Sequence, residues 1–333
     1  MSQILAIGDY EELYVYRLTE YMNRHRLLPF EVMAFCDSEK LRAYALEHEI
    51  AMLLVGKEWI EKIETASNAQ VVILSEEAET DIDTIKELPR VNRYQSAEQI
   101  ARALLEICAT HADKLPPSPT RNKTVEIIGI YSPVGRCLKT SFSLTLGQLL
   151  AQEKKCLYIN MEPYSGFNAL FGRYYDHNMS ELLYFLEKGT RRFVYKLQST
   201  IERLGNLEYI PPAESFLELM SLEPETWKRF VEEIIAQTDY EVIILDLSDY
   251  VSGLLQLLSI CDHIFTITRK DGVAMAKLDQ YEKMLSYSHQ EAILGKTKKF
   301  QFPIFKELPR QMEQLPYSEL ADYTRKLIQE EKL

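Results

Sequence analysis

The sequence predicts an α/β protein made of two doubly wound parallel-sheet domains. Short apolar runs alternate with amphipathic helical patterns along most of the chain, and one proline-rich stretch interrupts them. A length of 333 residues suits about two domains at roughly 150 residues each. Strands that read as unbroken apolar runs belong to parallel sheets covered on both faces. Hydrophobic residues make up 46% and charged residues 26% of the chain, which is the balance of a folded globular protein and excludes a disordered or collagen-like one.

The first domain is expected over residues 1–111. Its runs Ile4–Ile7, Glu31–Phe35, Ala51–Val55 and Val71–Leu74 each end at a polar residue or glycine: Asp9, Asp37, Gly56 and Ser75. Between them Leu41, Tyr44, Ala45 and His48 fall at helical spacing, as do Ile100, Ala103, Leu104 and Ile107. The pattern resembles a response-regulator receiver domain. Receivers carry a phosphoacceptor aspartate at the end of the third strand, and here that place is Gly56, which has no oxygen to phosphorylate. Ser75 matches the family's Ser or Thr, and Arg93 is the base nearest to the expected lysine. The resemblance therefore implies a receiver fold kept for protein contacts. Asp9 reads as a strand-end polar residue rather than a metal ligand.

A linker is expected at 112–122, where Pro116, Pro117 and Pro119 prevent helix or central strand and favour an extended spacer. The second domain, 123–333, repeats the alternation. Its candidate strands are Val125–Ile130, Cys156–Asn160, Leu207–Ile210, Val242–Asp246, Asp262–Thr268 and Lys299–Pro303, and Trp227, Phe230, Val231, Ile234 and Ile235 mark one of its helices.

The most informative segment is Gly129–Ser141. A strand runs into a short loop, and Lys139, Thr140 and Ser141 open a helix whose Phe142, Leu146, Leu149 and Leu150 share a face. A phosphate-binding loop needs this context: backbone N–H groups at the helix start point at the anion, a lysine neutralises terminal phosphates, and a Thr hydroxyl holds magnesium. Two further strand ends converge on it. Glu241–Leu247 places Asp246 at the end of an apolar strand, and Cys156–Gly166 brings Asn160 and Glu162. Ligands in open α/β sheets bind at these carboxyl ends.

These residues resemble the MinD/ParA family of deviant-Walker ATPases, and most nearly its TadZ/CpaE pilus-assembly branch. The Tyr-Ser-Pro-Val-Gly loop, Asn-Met-Glu-Pro-Tyr-Ser-Gly, Leu-Asp-Leu-Ser-Asp and the closing Glu-Leu-Pro-Arg…Leu-Pro-Tyr-Ser-Glu-Leu-Ala-Asp-Tyr stretch carry the likeness. The resemblance implies ATP and magnesium as cofactors, a homodimer, and pilus or secretion-system assembly proteins as partners. Gly135, Arg136, Cys137, Leu138, Lys139, Thr140 and Ser141 would hold nucleotide, Thr140 and Asp246 the metal, and Glu162 would be the hydrolytic residue. The departures are specific. Val134 stands at the family's signature lysine, Arg136 and Leu138 replace glycines, and Asn160 replaces a carboxylate. Side chains where glycine allows close approach or φ > 0 threaten the fit. At most a weak ATPase is expected. Arg136 either supplies the missing charge to phosphate or points to solvent, and Cys137 is expected to be a buried thiol.

The remaining features exclude classes. Five scattered cysteines contain no CxxC pair, and none of the six histidines forms a metal-spaced pair. No apolar run approaches the roughly 20 residues of a membrane span, and no signal-like start is present, so a cytoplasmic protein, at most peripheral at the inner face of the membrane, is expected. Net charge is −12, of which −10 lies in residues 1–113; such an acidic front repels nucleic acid. Two alternatives accompany the ATP-switch expectation: a nucleotide-free pseudo-ATPase scaffold, and an active ParA-like partitioning ATPase.

Overall fold

A computed structural model describes residues 3–63, 69–76, 88–111 and 124–333. The linker expected at 112–122 lies outside the described residues. The chain divides into two compact units. One comprises Met1–Ser118 with Lys188–Ser199, the other Pro119–Glu187 with Thr200–Leu333.

In the first unit the strands are β1 (Gln3–Gly8), β2 (Phe30–Phe35), β3 (Ile50–Gly56), β4 (Gln70–Ser75) and β5 (Arg90–Asn92). They form one parallel sheet in the order β2-β1-β3-β4-β5, a doubly wound order that leaves a crevice at the carboxyl ends of β1 and β3. Every residue of β3 is buried, which is why it reads as an uninterrupted apolar run. Helix Ala97–Thr110 starts at a capping box in which the Ser96 and Gln99 side chains satisfy each other's backbone N–H groups.

Helix Thr190–Thr200 differs from the linear division expected from the sequence, because its residues up to Ser199 pack with the first unit. The helix buries Phe193, Val194, Tyr195 and Leu197, and an ion pair accompanies them. Lys196, only 2% exposed, places Nζ 2.9 and 3.0 Å from the two carboxylate oxygens of Glu106, to which Ser199 Oγ also donates. Tyr195 lies near-parallel to Phe30 with ring centroids 6.2 Å apart.

The second unit is built on β6 (Glu126–Ile130), β7 (Cys156–Asn160), β8 (Glu202–Leu204), β9 (Leu207–Ile210), β10 (Val242–Asp246), β11 (His263–Ile267) and β12 (Thr297–Phe300), in the order β12-β11-β6-β10-β7-β9-β8. All pairings are parallel except β8 with β9, which is antiparallel. The last expected strand, Lys299–Pro303, begins two residues earlier and stops at Phe300. Helix Lys139–Leu150 is central: Phe142 through Leu150 are all buried, the signature of a helix covered on every side. It is held by Gln148 Nε2 donating to Met312 O at 3.0 Å. Gly147 permits the approach of Leu207, whose Cδ2 would lie 2.8 Å from an added Cβ. Register sets Asp246 level with Ile130 on one side and Asn160 on the other, so the chemistry-bearing residues meet at one sheet edge.

Candidate functional site

The loop Tyr131–Leu138 joins β6 to helix Lys139–Leu150. Ser132 organises its first half, donating from Oγ to Ile267 O at 2.6 Å and accepting from the Val134 N–H at 3.0 Å. Cys137 closes the second half with an Sγ contact of 3.1 Å to Val134 O. Its thiol is buried and burial pushes its pKa up, so it is inert rather than nucleophilic.

Arg136 and Leu138 have φ of 55° and 65°. The family resemblance implies glycine at both positions, where side chains threaten the fit. Both residues adopt the left-handed conformation that glycine takes freely, at a cost of about 1–2 kcal/mol each for an L-residue. Gly135 faces open space, since an added Cβ would meet nothing within 4 Å. Arg136 is exposed and makes no hydrogen bond or ion pair with a described residue.

Lys139 is the focus. Its Nζ donates to Leu247 O, pairs with Glu162 Oε1, and lies 3.2 Å from Asp246 Oδ1. Burial opposes the ammonium charge, but the attraction of Asp246 and Glu162 outweighs it, and the Lys139 pKa stands above the ordinary lysine value. The two carboxylates differ in burial: the Asp246 side chain is wholly buried, whereas 24% of Glu162's is exposed. Asp246 is fixed from behind by Tyr158 OH at 2.8 Å and Asn160 Nδ2 at 3.2 Å, both on Oδ2. Its Oδ1 has no hydrogen bond beyond the pairing with Lys139. Asn160 Oδ1 accepts from the Glu162 N–H at 3.1 Å, which orients the Glu162 loop. Asp249 adds a third carboxylate, accepting from Tyr131 OH at 2.5 Å.

The structure thus brings together Lys139, Asp246 and Glu162, leaves Arg136 apart, and sets Thr140 and Ser141 half-buried at the helix start with hydroxyls bonded to no described residue. Sequence reasoning missed Tyr158 and Asp249. Tyr158 was findable, because it lies two residues before Asn160 on a strand and therefore on the same face.

The chemistry of these residues suits an anion such as phosphate, and Thr140 and Asp246 offer oxygens of the kind a magnesium ion takes. The loop is shaped by two left-handed residues, Gly135 opens onto free space, and the helix behind presents its N-terminal N–H groups. The Thr140 hydroxyl bonds to no described residue, and Asp246 Oδ1 is a buried acceptor beside Lys139, the residue before Thr140. What obstructs the site is the pairing of Lys139.

The corresponding edge of the first unit is different. Arg93 reaches Glu11 at 2.6 Å, Glu76 at 3.0 Å and Asp9 at 3.6 Å, and stacks over the Tyr14 ring at 4.7 Å. A Cβ on Gly56 would lie 3.0 Å from Asp9 Oδ2. Asp9, Gly56, Ser75, Glu76 and Arg93 line a cavity of about 210 Å³. No group of three or more His, Cys, Asp or Glu among the described residues is arranged to hold a metal.

No protein-family model matches the chain, and no curated protein matches it. Solved structures similar to it include a Borrelia burgdorferi protein described as a plasmid partition protein bound to AMPPNP (16% identity, 62% of this chain and 100% of that one, TM-score 0.45). A ParA family ATPase from Chlorobium tepidum is 15% identical over 61% of this chain and 99% of its own, with TM-score 0.48. The MinC:MinD cell division complex of Aquifex aeolicus gives 17% identity, 60% and 78% coverage, and TM-score 0.41.

Proposed function

We propose that this chain is an ATP-binding switch of the MinD/ParA type, a localisation or assembly factor with weak or no hydrolysis. The observation that carries the reading is the left-handed backbone at Arg136 and Leu138: a strained loop shape that non-glycine residues adopt only where the surroundings require it. Backbone N–H groups at the start of helix Lys139–Leu150 would bind phosphate, Thr140 would hold magnesium, and Asp246 would stand behind it. ATP with magnesium, when bound, supplies the charge that determines which partner Lys139 keeps.

The chain's own part is an exchange. In the resting arrangement Lys139 is neutralised by Glu162 and Asp246. Asp246 is immobile, so Glu162, on its partly exposed loop, is the group that lets go. Glu162 therefore acts first as a latch on Lys139 and is available to orient a water only after release, an order that would slow any turnover. Arg136, exposed and apart from Lys139, either swings in to meet phosphate in a bidentate fork or stays in solvent; unchanged ATP affinity in Arg136→Ala would remove it from the site. Association is expected as a homodimer, with pilus or secretion-system assembly proteins as partners and the receiver-like first unit as a contact module. No helix among the described residues is long and apolar enough to cross a membrane.

The test is a thermal shift with ATP and magnesium. Ligand that binds the folded state raises the melting temperature with concentration, and Lys139→Ala should abolish the rise. A second reading, the nucleotide-free scaffold, is favoured by the occupied state of Lys139 and predicts no shift in either protein. Salt-sensitive DNA binding that requires ATP would instead revive the partitioning ATPase.

A further inference from the structure

Three neighbouring loops of the second unit carry an aromatic ladder that the nucleotide reading does not use. Strands β10, β7 and β9 are adjacent in the sheet, and their carboxyl ends lead to Tyr250, Tyr164 and Phe216 respectively. The Phe216 ring lies 5.6 Å from that of Tyr164 and 5.5 Å from that of Tyr250, centroid to centroid. Much of this apolar surface faces solvent: Tyr164 is 81% exposed, Leu217 63%, Met220 51% and Tyr250 47%. Grouped exposed apolar side chains of this kind mark interaction sites, unlike single ones scattered over a surface.

The ladder is held in place rather than draped over the surface. Ser252 Oγ donates to Leu222 O, tying the Tyr250 loop to the end of helix Phe216–Ser221. Gly253, with φ of 75°, lets that loop press on Pro224, whose Cβ would lie 2.7 Å from an added Cβ. Ser215 caps the helix that follows it by accepting from the Leu217 N–H. Surfaces already fixed in their bound shape lose less entropy on association.

Charge selects the occupant. Residues 161–166, 211–227 and 247–253 contain no lysine or arginine and six carboxylates, of which Glu162 and Asp249 are engaged by Lys139 and Tyr131, leaving Glu214, Glu218, Glu223 and Glu225 to set the charge of the patch. An anionic lipid surface or a nucleic acid would be repelled. Two copies of this patch facing each other, as a two-fold interface requires, would oppose like charges. We propose that this edge docks a basic, apolar-bearing segment of a partner protein, whose aliphatic or aromatic side chains lie on Tyr164, Phe216 and Tyr250 while its arginines or lysines pair with the surrounding carboxylates. Aromatic anchors flanked by charge are the usual energetic centres of such interfaces, and a partner guanidinium over Tyr164 or Tyr250 adds cation–π attraction. The inference stands whether or not nucleotide binds at Lys139.

The test uses the full chain and a fluorescently labelled synthetic peptide of arginine, leucine and tryptophan, with its arginine-to-glutamate counterpart as control. Fluorescence anisotropy should show binding of the basic peptide alone, weakened by salt and about tenfold weaker in the Tyr164→Ala/Tyr250→Ala double variant. A Leu13→Ala/Tyr16→Ala variant, altering exposed apolar residues of the other unit, should bind as wild type. Equal binding of both peptides, or equal loss in both double variants, overturns the proposal. So does sedimentation showing that the wild type self-associates and Tyr164→Ala/Tyr250→Ala does not, because the occupant would then be a second copy.

Discussion

Each unit places one cation at the carboxyl edge of a parallel sheet and surrounds it with carboxylates, yet the two arrangements have opposite consequences. Arg93 is itself nearly buried, but two of its partners, Glu11 and Glu76, have side chains about two-thirds exposed. Lys139 is 11% exposed and faces the wholly buried Asp246. Around Arg93 the sheet edge sets Asp9, Gly56 and Ser75 in one cavity. Around Lys139 the preceding loop holds Arg136 and Leu138 in the left-handed conformation. The first cation is shared with two mostly exposed carboxylates, and the second is held between a wholly buried and a partly exposed one. Burial of the ion pair, more than the number of carboxylates, separates them.

Breaking each knot tests this contrast. Lys139→Ala leaves Asp246 buried without its counter-charge and should lower unfolding free energy by about 3–5 kcal/mol, read by urea denaturation followed in the second unit. Arg93→Met should cost less, about 1–2 kcal/mol, because only Asp9 among its partners is nearly buried and exposed pairs contribute little. An equal or larger loss at Arg93 would reverse the ranking.

A smaller effect tests the loop. Arg136→Gly relieves a left-handed L-residue but loosens the unfolded chain, so the net expectation is a gain of about 0.5–1 kcal/mol in the same denaturation experiment. A loss would mean that the Arg136 side chain makes a stabilising contact.

The least disruptive probe is alkaline pH in the first unit. Burial pushes Tyr14 up to about 12, against the opposing pull of the Arg93 charge; its hydroxyl donates to Arg93 O at 3.0 Å. A folded-state pKa above the unfolded one stabilises fully below the unfolded value, and that contribution is lost as pH rises through the folded value. Stability tied to Tyr14 should therefore be complete below pH 10 and decline toward pH 12. Tyr14→Phe should flatten that part of the wild-type stability profile, measured by denaturation at stepped pH.

The two units also differ in how far they could be read beforehand. Strands buried on both faces announce themselves, as β3 and β10 do, because parallel sheets leave no polar alternation. Edge strand β8 did not, being three residues long with Glu202 and Arg203 in it. Helix Thr190–Thr200 was placed with its sequence neighbours, whereas Lys196 is buried by Glu106, ninety positions earlier; no local pattern encodes such a pairing. At the site, Lys139 was recognisable at the start of a helix after a strand and loop, and Asp246 and Glu162 at or just beyond strand ends. Their mutual neutralisation depends on side-chain reach across three loops, and periodicity carries no information about that. Nor could composition tell that Arg136 and Leu138 would adopt glycine's backbone rather than destroy it.

The central claim is that Glu162 and a phosphate compete for Lys139, and it is tested most directly by calorimetric titration of ATP with magnesium into wild type and Glu162→Gln. Removing one charged competitor should tighten binding about tenfold. Binding that is equal or weaker in Glu162→Gln, in a protein that melts as the wild type does, would contradict the exchange and leave Glu162 without a latch role.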